Sequence, residues 1–244
     1  MPKIFLSPST QEYNQYITGA GSEEYFMNLL AEPLLLSNGI QYVRNDPQGT
    51  VSTSIQQSNA GSYDFHLALH SNASGPGSEG RNRGIIAFYY PGSVNGQRAA
   101  ELFASALREI YPVPDQVTTR STTTLAEVRR TKAPSVLLEI GYHDNAADAQ
   151  WIAEHINLIA QTLVKAMTEY FGLPYVYPDP RQPGLAVTDS GGPVNLRAYP
   201  SAEGQVLTQI PCGATVTVFG QYRGWYVVLY NDTIGYANSA FIRL

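Results

Sequence analysis

The stretch Leu173–Leu185 carries Pro174, Pro178, Pro180 and Pro183, and it constrains the chain more than any other feature. Proline lacks an N–H and fixes φ, so neither a helix interior nor a central strand accepts this density. The segment reads as a semi-rigid extended linker, residues 173–185, and it divides the chain. Residues 1–172 alternate strand and helix periods. From Ala186 the pattern turns to short β-rich pieces, Val194–Arg197, Gly204–Ile210, Thr215–Tyr222, Trp225–Tyr230 and Ile234–Ala237, the spacing of a small all-β barrel or sandwich over 186–244. Charge divides in the same place. The tail balances Arg197, Arg223 and Arg243 against Asp189, Glu203 and Asp232, so the whole net charge of -5 belongs to the first part.

Within that first part, Ile4–Ser7 reads as a strand and Pro8–Ser22 as a loop. A helix follows, with Ser22 as N-cap and Glu23 and Glu24 in its first turn, where the helix dipole favours carboxylates. On residue physics alone Glu24 does no more than offset that dipole. Ile40–Arg44 is a second strand, and a polar stretch through Ser62 leads to the alternating strand Tyr63–Asn72. Ile85–Tyr90 is another strand, Gln97–Tyr111 a helix, Leu125–Lys132 a short polar segment and Ser135–Gly141 an apolar strand. One long amphipathic helix then runs from Asp148 to Phe171, with Gly172 as its stop. This order predicts an α/β domain with a mostly parallel sheet flanked by helices.

Hydrophobic content of 43% with 14% charged residues supports a real core, and no apolar run approaches the ~18 residues of a membrane span. The acidic balance, with a pI of about 5.3 and no basic stripe, argues against nucleic acid as a partner. The opening Met1–Ser9 reads as a strand and not as a secretory signal. Cys212 stands alone, which excludes an intramolecular disulfide, and a small buried apolar role is expected for it. Nothing in the pattern indicates an oligomeric state.

The chemistry is expected where the alternating strand ends, because ligands of open α/β sheets bind outside the carboxyl ends of strands. That exit holds His70 and Asn72. His66 and His70 have the i, i+4 spacing of a helical metal pair, but on a strand their Cα atoms lie roughly 13 Å apart, so they cannot share an ion. His66 is therefore read as a core histidine, and His155, with no partner at metal spacing, as filler. Glu139 is a lone carboxylate in an apolar strand and needs a reason to be there, either a cation nearby or an arginine such as Arg129.

Taken together, Ile4–Ser9, Glu24, His70–Ala73, Val128–Gly141, Asp144, Asn145 and Asp148 resemble the zinc-dependent N-acetylmuramoyl-L-alanine amidases, peptidoglycan hydrolases with an α/β fold. The tail, through Val194–Arg197, Gly213–Val218, Gly224–Val228 and Gly235–Ala237, resembles bacterial SH3-like domains that bind cell walls. The resemblance implies a Zn2+ ion held by Glu24 and His70, with Glu139 as the catalytic carboxylate. In the usual pattern a histidine after the first strand is the third ligand. Here that place reads Ser7–Gln11, and Thr10 and Gln11 are poor zinc ligands. His143, four residues beyond Glu139, is the expected substitute, with a substrate-facing or hydrogen-bonding loop role as its alternative.

Asn72, Arg81 and Arg83 are the expected substrate contacts, the two arginines either clamping a carboxylate or solvating their loop. Tyr222, Trp225, Tyr226 and Tyr236 are candidate wall contacts, with Trp225 also suited to the barrel core. The function implied is hydrolysis of the amide between N-acetylmuramic acid and the L-alanine of the stem peptide, at the bacterial cell wall, by a phage-type lysin or a trimmed secreted enzyme. Two alternatives stand beside it: a zinc peptidase acting on the stem peptide, and a metal-free wall-binding protein on the same scaffold.

Overall fold

The computed structural model describes residues 1–34, 40–175, 182–198, 200–222, 224–231 and 233–244, without the side chains of 32–34, 222 and 234. They fall into two compact units, one α/β and one all-β. The α/β unit runs β1 (Lys3–Pro8), α1 (Glu23–Leu34), β2 (Gln41–Arg44), α2 (Val51–Ala60), β3 (Phe65–Asn72), β4 (Ile85–Tyr89), α3 (Val94–Arg108), β5 (Val117–Ser121), α4 (Ala126–Arg130), β6 (Ser135–Tyr142), α5 (Ala146–Glu154) and α6 (Ile156–Tyr170). Its sheet has the order β2-β1-β3-β6-β4-β5. Strand β3 is parallel to β1 and β6, and β5 is parallel to β4, whereas β4 runs antiparallel to β6. The sheet is thus mostly parallel.

The central pair β3 and β6 decides where chemistry can occur. Side chains alternate across a strand, and the register pairs Phe5 with His66 and Ser7 with Ala68 on one side of β3, and Ala68 with Leu137 and His70 with Glu139 on the other. His66, Ala68, His70, Ser7, Leu137 and Glu139 therefore share one face of the sheet. Phe65, Leu67, Leu69, Ile4, Leu6, Val136, Leu138 and Ile140 occupy the opposite face and are buried. Both faces are covered, so the strands are apolar on one side and selectively polar on the other.

Several sequence expectations need correction. The polar stretch before Tyr63 contains α2, whose buried residues are Ser54, Ile55 and Ser58, so its inward face carries almost no hydrophobic period. Its N-cap was legible: Thr50 and Thr53 form a reciprocal capping box. The polar segment around Leu125 holds the short helix α4, which buries Glu127 and Val128. Strand β5 went unread. The expected single helix from Asp148 is two, α5 and α6, broken where His155 leaves helical geometry at φ -122 and ψ 20 while its Nδ1 donates to the Trp151 carbonyl at 2.8 Å.

Asp148 ties the carboxyl end of the sheet together. It is fully buried and accepts from the backbone N–H of Gly84 at 2.9 Å and Tyr142 at 3.0 Å, from the Tyr111 hydroxyl at 2.6 Å, and from Arg83 at 3.2 Å. Gly141 sits beside it at φ +72, where a Cβ would come within 3.2 Å of the Asp148 Cβ. Removing this carboxylate would leave several buried donors without a partner. Asp148→Ala is expected to cost about 3–5 kcal/mol in urea unfolding; a change below about 1 kcal/mol would show that the donors re-pair.

The second unit is an antiparallel sheet of order β13-β7-β10-β11-β12-β8-β9. Its strands are β7 (Gln182–Ala186), β8 (Val194–Arg197), β9 (Val206–Ile210), β10 (Thr215–Tyr222), β11 (Trp225–Tyr230), β12 (Thr233–Asn238) and β13 (Ile242–Arg243). The end of the expected linker, Gln182–Leu185, belongs to β7, which pairs with β10 and β13. Proline is tolerated there because Pro183 needs to donate nothing to the ladder. Cys212 is exposed and not buried, since it follows Pro211 in the turn before β10.

Candidate active site

At the carboxyl ends of β1, β3 and β6 a cavity of about 410 Å3 is lined by Ser9, Gln11, Tyr13, Thr50, His70, Glu127 and Glu139, among others. His70 and Glu139 are register partners on adjacent strands and project side by side. Around His70 the chain gathers two carboxylates. Glu23, at the start of α1, places Oε1 2.8 Å from His70 Nδ1, and Glu127, from α4, places Oε2 3.1 Å from His70 Nε2. The His70 side chain is 12% exposed and the two glutamates are 1% and 3% exposed.

These contacts set the protonation. Burial lowers the His70 imidazole, but the hydrogen bonds and charges of Glu127 and Glu23 outweigh it and hold the ring well above its ordinary range. Burial likewise pushes Glu23 up, yet His70 and the Asn14 amide, which donates to Glu23 Oε2 at 2.6 Å, bring it below the usual carboxylate range. Glu139 has no such partner. Desolvation raises it to about 7, with His70 opposing and Glu23 assisting, and its Oε2 is buried without a hydrogen bond among the described residues. A carboxyl near neutrality beside two ionised ones is suited to taking and giving a proton.

The third group facing this point is an amide. Gln11 Nε2 lies 3.4 Å from His70 Nδ1 and 3.5 Å from Glu23 Oε1. With the 2.8 Å edge these distances form a triangle close to the about 3.3 Å edge of a tetrahedral site with ~2.0 Å bonds. Half a turn of the Gln11 amide would present its oxygen instead of its nitrogen. Among the described residues no three His, Cys, Asp or Glu side chains converge as a metal site; Glu23 and His70 are the ionisable pair at this point, with the neutral Gln11 amide beside them.

Comparison with known proteins gives the family of the chain. The N-acetylmuramoyl-L-alanine amidase family matches residues 26–169, more than half of the chain. The chain belongs to that family. Its substrate is therefore peptidoglycan, cleaved between N-acetylmuramic acid and L-alanine. A bacterial SH3 domain matches residues 192–243. No curated protein matches the chain. Among solved structures, the amidase AmiC2 of Nostoc punctiforme superposes with a TM-score of 0.61 at 16% identity, covering 70% of this chain and 97% of that one. The catalytic domain of CwlV from Bacillus (Paenibacillus) polymyxa var. colistinus gives 0.59 at 18%, covering 70% and 99%. The catalytic domain of the CD27L endolysin targeting Clostridia difficile gives 0.52 at 19%, covering 69% and 98%. At these identities the likeness establishes the fold.

The amidase arranges the expected residues differently from the sequence reading. Glu24 is partly exposed and lines a separate shallow groove with Tyr25, Asn28 and Ile156; the adjacent Glu23 is the carboxylate at His70. One residue rotates a helical side chain by about 100°, and only Glu23 faces inward. His143 is buried and does not line the cavity. Its Nδ1 is held by the Ser71 carbonyl at 2.9 Å and hydroxyl at 3.2 Å, and its ring stacks on Tyr16. That is the hydrogen-bonding role, reached because the register shift between His70 and Asn72 pulls the end of β6 onto the backbone of Asn72. Arg129 is exposed and leaves Glu139 unpaired.

Asn72 spends its side-chain oxygen on the Ala73 N–H, and Arg83 is committed to Asp148 and Tyr111; neither borders the cavity. Arg81 is exposed outside it. The sequence reading missed Glu127 and gave His66 no partner beyond the core. Yet His66 Nε2 lies 3.2 Å from Glu127 Oε1. Glu127 stands in a weakly patterned stretch before β6, and its burial is visible only in the structure. In the SH3-like unit Tyr236 is fully buried with Phe219 and Val227, so it is core and not a wall contact. Trp225 packs partly on that cluster and also lines a cavity of about 480 Å3 with Phe241, Arg197 and Asn195. Tyr226 packs on the main core, and the Tyr222 side chain lies outside the described residues. Among the described residues no helix is long and apolar enough to cross a membrane.

Proposed function

We propose that the amidase works with one zinc ion held by Glu23, His70 and the Gln11 amide oxygen, and with Glu139 as its proton-transfer group. The observation that carries this reading is the convergence of Glu23 Oε1 and His70 Nδ1, 2.8 Å apart, beside the unpartnered Oε2 of Glu139. When bound, zinc supplies Lewis acidity, polarising the scissile carbonyl and acidifying a water. Glu139 takes the proton of the attacking water on Oε2 and delivers it to the leaving nitrogen of L-alanine. Its raised affinity for a proton favours the first transfer, and a value of about 7, near neutral working pH, still lets it release the proton in the second. In this structure the Gln11 Oε1 accepts from Tyr13 and Asn14, at 2.9 and 3.3 Å, so its service as a ligand requires the half-turn of the amide, after which the Tyr13 hydroxyl accepts from Nε2.

The neutral third donor favours one alternative, a wall-binding protein that holds no zinc and turns over nothing. The α/β unit serves as the catalytic domain within residues 1–172, and the SH3-like unit keeps it on peptidoglycan, raising the effective concentration of bonds to cut. Incubation with purified peptidoglycan, with labelling of new amino termini, tests the reading. New L-alanine amino termini that vanish with chelator and return with zinc are expected. Other amino termini would indicate a stem-peptide peptidase, and no new termini with no bound zinc would indicate the wall-binding protein.

A further inference from the structure

Behind His70 lies a chain of buried polar groups that proton transfer at Glu139 does not use. Glu127 Oε2 meets His70 Nε2, and Glu127 Oε1 meets both the Ser7 hydroxyl at 2.5 Å and His66 Nε2 at 3.2 Å. His66 Nδ1 lies 2.9 Å from the Ser58 hydroxyl of α2. His66 is wholly buried, and Ser7, Ser58 and Glu127 nearly so. These groups come from β1, α2, β3 and α4, so the chain is assembled only by the complete fold.

We propose that Glu127, braced by Ser7 and His66, is the positioning residue that fixes the His70 ring and its tautomer for a metal ion on the Nδ1 side. The inference rests on the zinc reading above. A carboxylate only accepts, so Ser7, His66 and His70 each donate to Glu127. The proton on His70 Nε2 is thereby fixed, and Nδ1 is the nitrogen that faces Glu23 and Gln11 with its lone pair when an ion is bound. The same bond makes the ring a stronger donor to the ion, as carboxylates behind ligating histidines do. His66 acts through Glu127: with Nε2 donating, its Nδ1 accepts from Ser58, and the carboxylate cannot swing away from His70. The strand separation that forbids His66 and His70 from sharing an ion still lets them share one carboxylate.

Zinc affinity of the full chain, measured by competition with a chromophoric chelator, tests this, with cobalt(II) absorption as a second readout. Wild type is expected to bind one ion. Glu127→Gln should weaken zinc binding by about 10–100-fold, shift the cobalt spectrum, and regain most of its kcat at saturating zinc with KM for peptidoglycan unchanged. Should Glu127→Gln not fold, Ser7→Ala carries the test, with a loss of about fivefold for one brace. Folded Glu127→Gln with zinc affinity within twofold of wild type overturns the proposal and leaves the zinc reading standing, and for the fallback an unaltered Ser7→Ala does the same. A wild type that binds no zinc overturns both, and the wild-type titration alone tells the cases apart.

Discussion

Glu139→Gln is expected to reduce turnover by about a hundred- to ten-thousand-fold, the range of a lost general acid–base group, with zinc content unchanged. The substitution keeps the shape of the side chain and removes only its ability to carry a proton. The same variant has a second, opposite consequence in chelator-treated protein. Folding raises Glu139 from 4.5 to about 7. Between those values the folded chain holds a proton that the unfolded chain has released, so wild-type stability falls as pH rises through that window. The loss approaches about 3 kcal/mol by pH 8 if the whole shift is expressed. Glutamine does not titrate, so chelator-treated Glu139→Gln should be more stable than wild type at pH 8 and similar to it near pH 4.5. Parallel stability curves for the two proteins from pH 4.5 to 8 would contradict a buried, protonatable Glu139.

The second large effect separates two neighbouring glutamates. Glu23→Ala is expected to lose stoichiometric zinc on gel filtration and at least roughly a hundred-fold in activity, because an ionic ligand and the partner of His70 disappear together. Glu24→Ala should retain both within about twofold, as expected of a partly exposed carboxylate near a helix start. Zinc loss in Glu24→Ala, with retention in Glu23→Ala, would reverse the assignment and imply a different rotation of α1 in solution.

The amino-acid sequence determined what local chemistry can determine. Alternation placed β3. Ser22 placed the start of α1, and its Oγ accepts from the Tyr25 N–H at 3.2 Å. The isolated carboxylate in the apolar run Ser135–Gly141 marked Glu139. Each of these is a preference of a residue for its own backbone or its immediate neighbours, and such preferences survive without a fold.

Only the tertiary structure decided which side chains share the cavity. The phase of α1 selects Glu23 over Glu24, and the register shift at the end of β3 withdraws His143 to Ser71. The loop after β1 brings Gln11 against His70 and Glu23. Helix α4, whose inward face is a glutamate and a valine, drops Glu127 between two histidines of one strand. All four depend on distances between segments far apart in sequence. A periodic pattern says which way a side chain faces along its own element, and it carries no information about the element that comes to meet it.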